Sequence, residues 1–374
     1  MGRAAAVRHA ATLAGTTSRG IAATCSAWTG AGLRDPGRRR VVPGRALRGA
    51  SWGGALLGGA AVVAVGLGGT AHATMASRAV AAAGAPAGAP VTCQPGLNKY
   101  DRTQFCFRVG VTVSVLRGNT AVGTVSFDLM HTFALSAASP DFTERIAITD
   151  VHVTGGGDGV HLRLAVSCAS PCAAADHFPQ GQVITTGTSG VIDYRDGVQA
   201  GKEDLATSSY ALYFTKSGDQ SGGYSYRTPI SYRCDDELPG RPAGCVFAEY
   251  APYFTQMRGL AAVTGNIQAA QYGPAHEGRP GGGHPLYRIT SMAEQRANYQ
   301  AVCGRPVVGP PPRPHAVCDA YPLDSTSQGG TAVTRANRRA AWVPASQEFA
   351  KDRALATFYA ANRVLDGDAF WVVP

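Results

Sequence analysis

The chain has 374 residues, with 34 basic and 25 acidic side chains and a formal charge of +9. That excess does not indicate a nucleic-acid partner, because it is concentrated at one end. Nine of the basic residues but only one acidic residue precede Thr74, leaving 25 and 24 beyond it and a charge of +1.

The N-terminal stretch is rich in Arg and Ala, with a cluster at Arg38, Arg39 and Arg40. An apolar run from Trp52 to Leu67 follows, then Ala71-His72-Ala73 with small residues flanking the histidine. A basic region, a short apolar core and a small-x-small site together describe a secretory leader over 1–73. The alternative is a single membrane anchor, but the run barely reaches the ~17 residues needed to span a bilayer. Residues 74–90, mostly Ala, Gly, Ser and Pro, read as a flexible entry segment.

Beyond the leader stand eight cysteines: Cys93, Cys106, Cys168, Cys172, Cys234, Cys245, Cys303 and Cys318. An even number in an exported chain implies disulfides. They fall as four close couples, which makes sequential pairing the simplest expectation among the roughly 105 connectivities that eight cysteines allow. No CxxC pair occurs, which disfavours zinc.

Two-residue alternation then marks a β-rich region over 91–271. Phe105, Phe107, Val109, Val111, Val113 and Val115 share one strand face; Val125, Phe127, Leu129, His131, Phe133 and Leu135 share another. Shorter strands are predicted at 146–153, 161–167, 190–195, 209–215 and 223–233, separated by Gly, Asp, Asn and Ser. The pattern predicts an all-β, sandwich-like domain, because a lone sheet would leave its apolar face wet. His131 on an apolar face reads as a hydrogen-bonded core residue. Tyrosines at 210, 213, 224, 226 and 232 read either as packing or as a polysaccharide groove on a cell-surface module.

Gly and Pro dominate 272–283, which is taken as a linker to a small α+β domain over 284–374. Helices are predicted at 291–301 and 345–362, with a last strand at 369–373.

This C-terminal segment resembles the NucA/NucB family of secreted bacterial deoxyribonucleases. The motifs are Cys318-Asp319-Ala320-Tyr321-Pro322-Leu323, Ser325-Thr326, Gly329-Gly330, Val343-Pro344-Ala345, Phe358-Tyr359 and Val364-Leu365-Asp366-Gly367-Asp368-Ala369-Phe370-Trp371-Val372. The resemblance implies non-specific endonucleolytic hydrolysis of DNA assisted by a divalent metal, Mg or Mn, which neutralises phosphate charge and orients water. It implies Asp319 as metal ligand and catalytic residue; Glu348 and Asp324 are the nearby acids read as substitutes at the metal, Glu348 also as a catalytic residue. His315 becomes the candidate base, and Arg288, Arg335, Arg338 and Arg339 the candidate phosphate contacts. Departures fall at acidic positions. The family's Asp-Glu-Tyr/Trp-Pro becomes Asp319-Ala320-Tyr321-Pro322, its Glu before Gly-Gly becomes Gln328, and its acid-Asn pair aligns with Gln347-Glu348. These losses motivate the alternative of a catalytically lapsed, nuclease-like binding protein.

Overall fold

The computed structural model describes residues 61–67, 75–76, 99–217 and 222–374. Most of the leader, the 77–90 part of the entry segment and Cys93 lie outside these residues. Ala61–Leu67, within the assigned leader, forms an edge strand parallel to the first long strand. No helix among the described residues is long and apolar enough to cross a membrane.

Alternation makes the first half a two-sheet structure. Strands β1 (Gln104–Arg117), β2 (Thr120–Ala134) and β3 (Asp141–Gly155) form an antiparallel meander. After β4 (His161–Cys168), β5 (Cys172–Asp176) and β6 (Ser189–Asp196) extend that sheet in the order β1-β2-β3-β6-β5. Following β7 (Glu203–Ala206), strands β8 (Ser208–Thr215) and β9 (Gly222–Arg227) pair with β4 in a second sheet ordered β9-β8-β4. Every second residue of both sheets points into one core, where Val109, Leu129, Ile146, Leu164, Leu212 and Phe214 are buried. Burying such side chains stabilises by about 1.5–3 kcal/mol each relative to exposure.

His131 is a core residue. Its ring stacks on Phe107 with centroids 4.3 Å apart, Nδ1 lies 2.6 Å from Glu144 Oε1, and Nε2 lies 2.8 Å from the Tyr226 hydroxyl. Tyr194 and Tyr210 also donate to Glu144, so this buried carboxylate is hydrogen-bonded throughout. Tyr210, Tyr226 and Tyr232 are therefore packing and network residues, whereas Tyr213 points outward.

Strands β10 (Tyr232–Asp235) and β11 (Gly244–Val246), with β7, form a third small sheet closed by the Cys234–Cys245 disulfide. Cys168–Cys172 and Cys303–Cys318 are also bonded, so these three pairs are sequential. Cys106 is disulfide-bonded as well.

A second core begins at Phe254, ahead of the Gly/Pro segment. It gathers Val263 and Ile267 with Leu286, Leu355, Phe358 and Phe370. Helix α1 (Ala261–Gln271) therefore packs with the C-terminal elements, although its sequence was assigned to the β-rich region. Its buried stripe of Val, Asn, Ile and Ala is too weakly apolar to announce which neighbour it serves. The core contains β12 (Tyr253–Phe254), β13 (Leu286–Tyr287) and, last in the chain, β16 (Ala369–Val372), ordered β12-β16-β13. Between β13 and β16 come α2 (Met292–Cys303), the short α3 (Arg305–Val308), the hairpin β14 (Ala316–Tyr321) and β15 (Arg339–Pro344), and α4 (Ala345–Ala361).

Both cores belong to one compact unit, and their junction is ionic. Asp368 accepts from Arg102 at 2.5 Å and from Arg233 at 2.7 Å. Arg363, fully buried, clasps Asp235 and donates to the carbonyls of Ala137 and Pro242. Burial alone would raise the Asp368 carboxyl, yet hydrogen bonds from Arg233 and the Arg102 and Arg233 charges hold it below the usual range.

Candidate functional site

The site forms where the β14–β15 hairpin meets α1 and α4. Alternation along β14 sends Cys318 and Ala320 toward α2 and Asp319 toward α1 and α4. Because α4 starts directly after β15, its first turn lies beside the strand pair. Glu348 and Lys351, three residues apart, then occupy the same helix face.

Lys351 Nζ lies 2.6 Å from Asp319 Oδ1 and 2.7 Å from Glu348 Oε1. Asn266 of α1 donates through Nδ2 to Asp319 Oδ2 at 2.8 Å and to the Asp319 carbonyl at 3.0 Å. The side chains of Asp319, Lys351 and Glu348 are 0%, 5% and 13% exposed. Glu348 Oε2 and Asn266 Oδ1 have no hydrogen-bond partner among the described residues.

Burial pushes the Glu348 carboxyl up to about 8, helped by the Asp319 charge and opposed by Lys351. Burial alone would lower the Lys351 ammonium, but Asp319 and Glu348 carry it above its ordinary value. Asp324 and Asp352 are raised by burial while Lys351 pulls them down. Tyr299 of α2 is raised by burial and by the Glu348 and Asp324 charges. A single ammonium thus sits among four acidic side chains.

A divalent ion was expected here, and the residues do not fit one. Both Asp319 oxygens and one Glu348 oxygen are already engaged, and Lys351 fills the point on which they converge. A doubly charged ion ~4 Å from that ammonium would be repelled by on the order of 8 kcal/mol at an effective dielectric constant near 20. Among the described residues, no three His, Cys, Asp or Glu side chains are grouped to hold a metal.

The remaining expected residues scatter. His315 is exposed just before β14, with φ 61°. It precedes Asp319 by four residues, which at strand rise is roughly 13 Å. Arg288 lies 4.4 Å from the Tyr359 ring centroid and donates to the Val364 carbonyl, so it is a packing residue. Arg338 donates to the Val333 carbonyl, whereas Arg335 and Arg339 are exposed. Among the described residues, none of these four arginines forms an ion pair with the acids around Lys351.

Each altered motif position has a neutral structural task. Ala320 packs with Val302, Cys303 and Cys318. Gln328 receives the Tyr287 amide and donates to the Pro285 carbonyl, a two-way contact that an ionised carboxylate could not make. Gln347 accepts from the Ala262 amide in the first turn of α1, which lacks a side-chain cap of its own. Gly329 and Gly330 let the loop press on Asn298; a Cβ on Gly329 would lie 2.6 Å from the Leu323 carbonyl oxygen. Lys351 and Asn266 escaped sequence reasoning. The three-residue spacing from Glu348 was the only signal for the first, and nothing marked the second.

Residues 287–373 match the family described as Deoxyribonuclease NucA/NucB. No curated protein matches the chain. No solved structure matches it either. Asn266 and the β-module arginines at the junction lie outside the matched segment.

Proposed function

We propose that this is a secreted protein whose nuclease-like C-terminal domain has exchanged metal-assisted DNA hydrolysis for binding. The observation that carries the reading is Lys351, bonded to both carboxylates that would otherwise hold a cation. Phosphodiester hydrolysis in this family's manner needs a metal at carboxylate oxygens; here an internal ammonium supplies the countercharge and is 5% exposed. Export is supported by the basic, apolar and small-residue order of the leader and by the disulfides.

The test is incubation of supercoiled plasmid with the oxidised protein in Mg²⁺ or Mn²⁺ and in EDTA, beside Asp319→Ala. Intact plasmid throughout is expected. Nicking that requires metal and disappears in the variant would overturn the reading.

One observation favours a second reading. Glu348 combines a carboxyl raised to about 8, partial exposure and an unpartnered oxygen, the properties of a group that exchanges protons near neutral pH. Its signature in the same assay is nicking that persists in EDTA and is lost in Glu348→Gln.

A further inference from the structure

We infer that the outer face of the β9-β8-β4 sheet is a binding site for a single-stranded nucleic acid. The register sets three full cross-strand rows of outward residues on this face, beyond which His161 and Thr215 face each other. Arg163, Tyr213 and Gly223 form one outer row of the three, and Ser167, Ser209 and Arg227 the other. The middle row holds only Ala165, Ala211 and Ser225, so the face dips into a shallow trough between Tyr213 and Arg227.

The charge is one-sided. None of these nine positions is acidic, and among the described residues neither arginine has a carboxylate within ion-pair distance. The Arg163 guanidinium carbon lies 6.0 Å from the centroid of the Tyr213 ring, which is itself 46% exposed. The outer face of the other sheet provides the contrast. There Arg195 lies 3.6 Å from Asp141 and His177 lies 3.2 Å from Asp193, so these charges are paired, while Arg145 donates to the Ser189 hydroxyl.

Dimensions select the occupant. The arginines stand at opposite corners, four residues apart along the strands and two strands apart across the sheet, a diagonal of roughly 16 Å. Across its three strands the face measures about 10 Å, room for one extended backbone. Cations spaced along a shallow track, with an aromatic beside one of them, match the requirements of a flexible phosphate polymer carrying stackable bases. Ser167 and Ser225, exposed, and half-buried Ser209 add hydroxyl donors. The site is separate from Lys351 and stands whichever reading of the C-terminal domain holds.

The experiment is fluorescence anisotropy of a labelled 20-mer of thymidylate with the whole protein in EDTA, the oligonucleotide's length being checked afterward on a gel. The protein is compared with Arg163→Ala/Arg227→Ala, Tyr213→Ala and the control Arg195→Ala, each verified folded by circular dichroism. The double variant should bind at least tenfold more weakly at low salt, with the log-log salt slope reduced by about 1.4, or ~0.7 per lost phosphate contact. Tyr213→Ala should weaken binding without altering the slope, and Arg195→Ala should leave it unchanged. Absence of binding by the wild type, or equal binding by a folded double variant, would overturn the inference. So would displacement by a carboxylated polysaccharide at equal charge concentration, which would make the trough a polysaccharide site.

Discussion

Replacing Lys351 by Ala tests the central feature of the C-terminal domain. The substitution leaves Asp319, at 0% exposure, with Asn266 and the Glu348 carboxyl beside it, and frees the inner oxygen of Glu348. Removing one member of a buried ion pair costs about 3–5 kcal/mol, because the other charge stays buried without its partner. At roughly 2–4 °C per kcal/mol for a chain of this size, the unfolding midpoint in EDTA should fall by roughly 10 °C. The vacated point leaves two carboxylates facing one another, and Mn²⁺ should bind there. At a hundred times its Kd the ion would restore about 2.7 kcal/mol. Thermal unfolding with and without Mn²⁺, and the solution EPR signal of free Mn²⁺, give two independent readings. Equal stabilisation of wild type and variant by Mn²⁺ would show that the ammonium does not exclude the ion. A deficit under about 1 kcal/mol would show that Asp319 is not dependent on it.

Two further outcomes follow from the same geometry. Because the Glu348 carboxyl is raised in the folded state, the native protein holds a proton that the unfolded chain releases near pH 4.5. Its contribution is therefore fully present below that value and lost as pH rises through about 8. Urea midpoints from pH 5 to 9 should fall more steeply for the wild type than for Glu348→Gln, and parallel profiles would remove the proton from Glu348. At the junction, Asp368→Ala strands two buried arginines and should cost about 3–5 kcal/mol. Because that junction ties the two cores, unfolding should remain a single transition by both near-UV circular dichroism and tryptophan fluorescence; two separated transitions would show that the cores fold independently.

Legibility in the sequence followed the range of the interaction. The long strands were readable because burial on one face enforces a two-residue repeat, and His131 falls where that repeat places it, with Glu144 supplied from the adjacent strand. Sequential disulfides were readable because short loops close at little entropic cost. α1 was not assigned to its proper core, since helix faces with few large apolar residues do not identify the surface they cover. The acid-for-amide changes were visible as losses, but their consequence was not. Gln347 and Gln328 became intelligible only when the Ala262 amide and the Pro285 carbonyl appeared beside them.

The same limit governs what the family resemblance can say about chemistry. A motif match aligns positions along 287–373, whereas the state of Asp319 is decided by Asn266 from before that span and by Lys351, which no quoted motif contains. Retention of a carboxylate in register therefore does not by itself establish a metal ligand. In water-excluded surroundings, the group that first neutralises it fixes its role, and here that group is covalently part of α4. The chain's own countercharge cannot dissociate as an ion can. If Lys351 excludes divalent cations, restoring acids at positions 320, 328 and 347 alone would leave the domain without a metal, and only a change that also removed the ammonium would reopen the site.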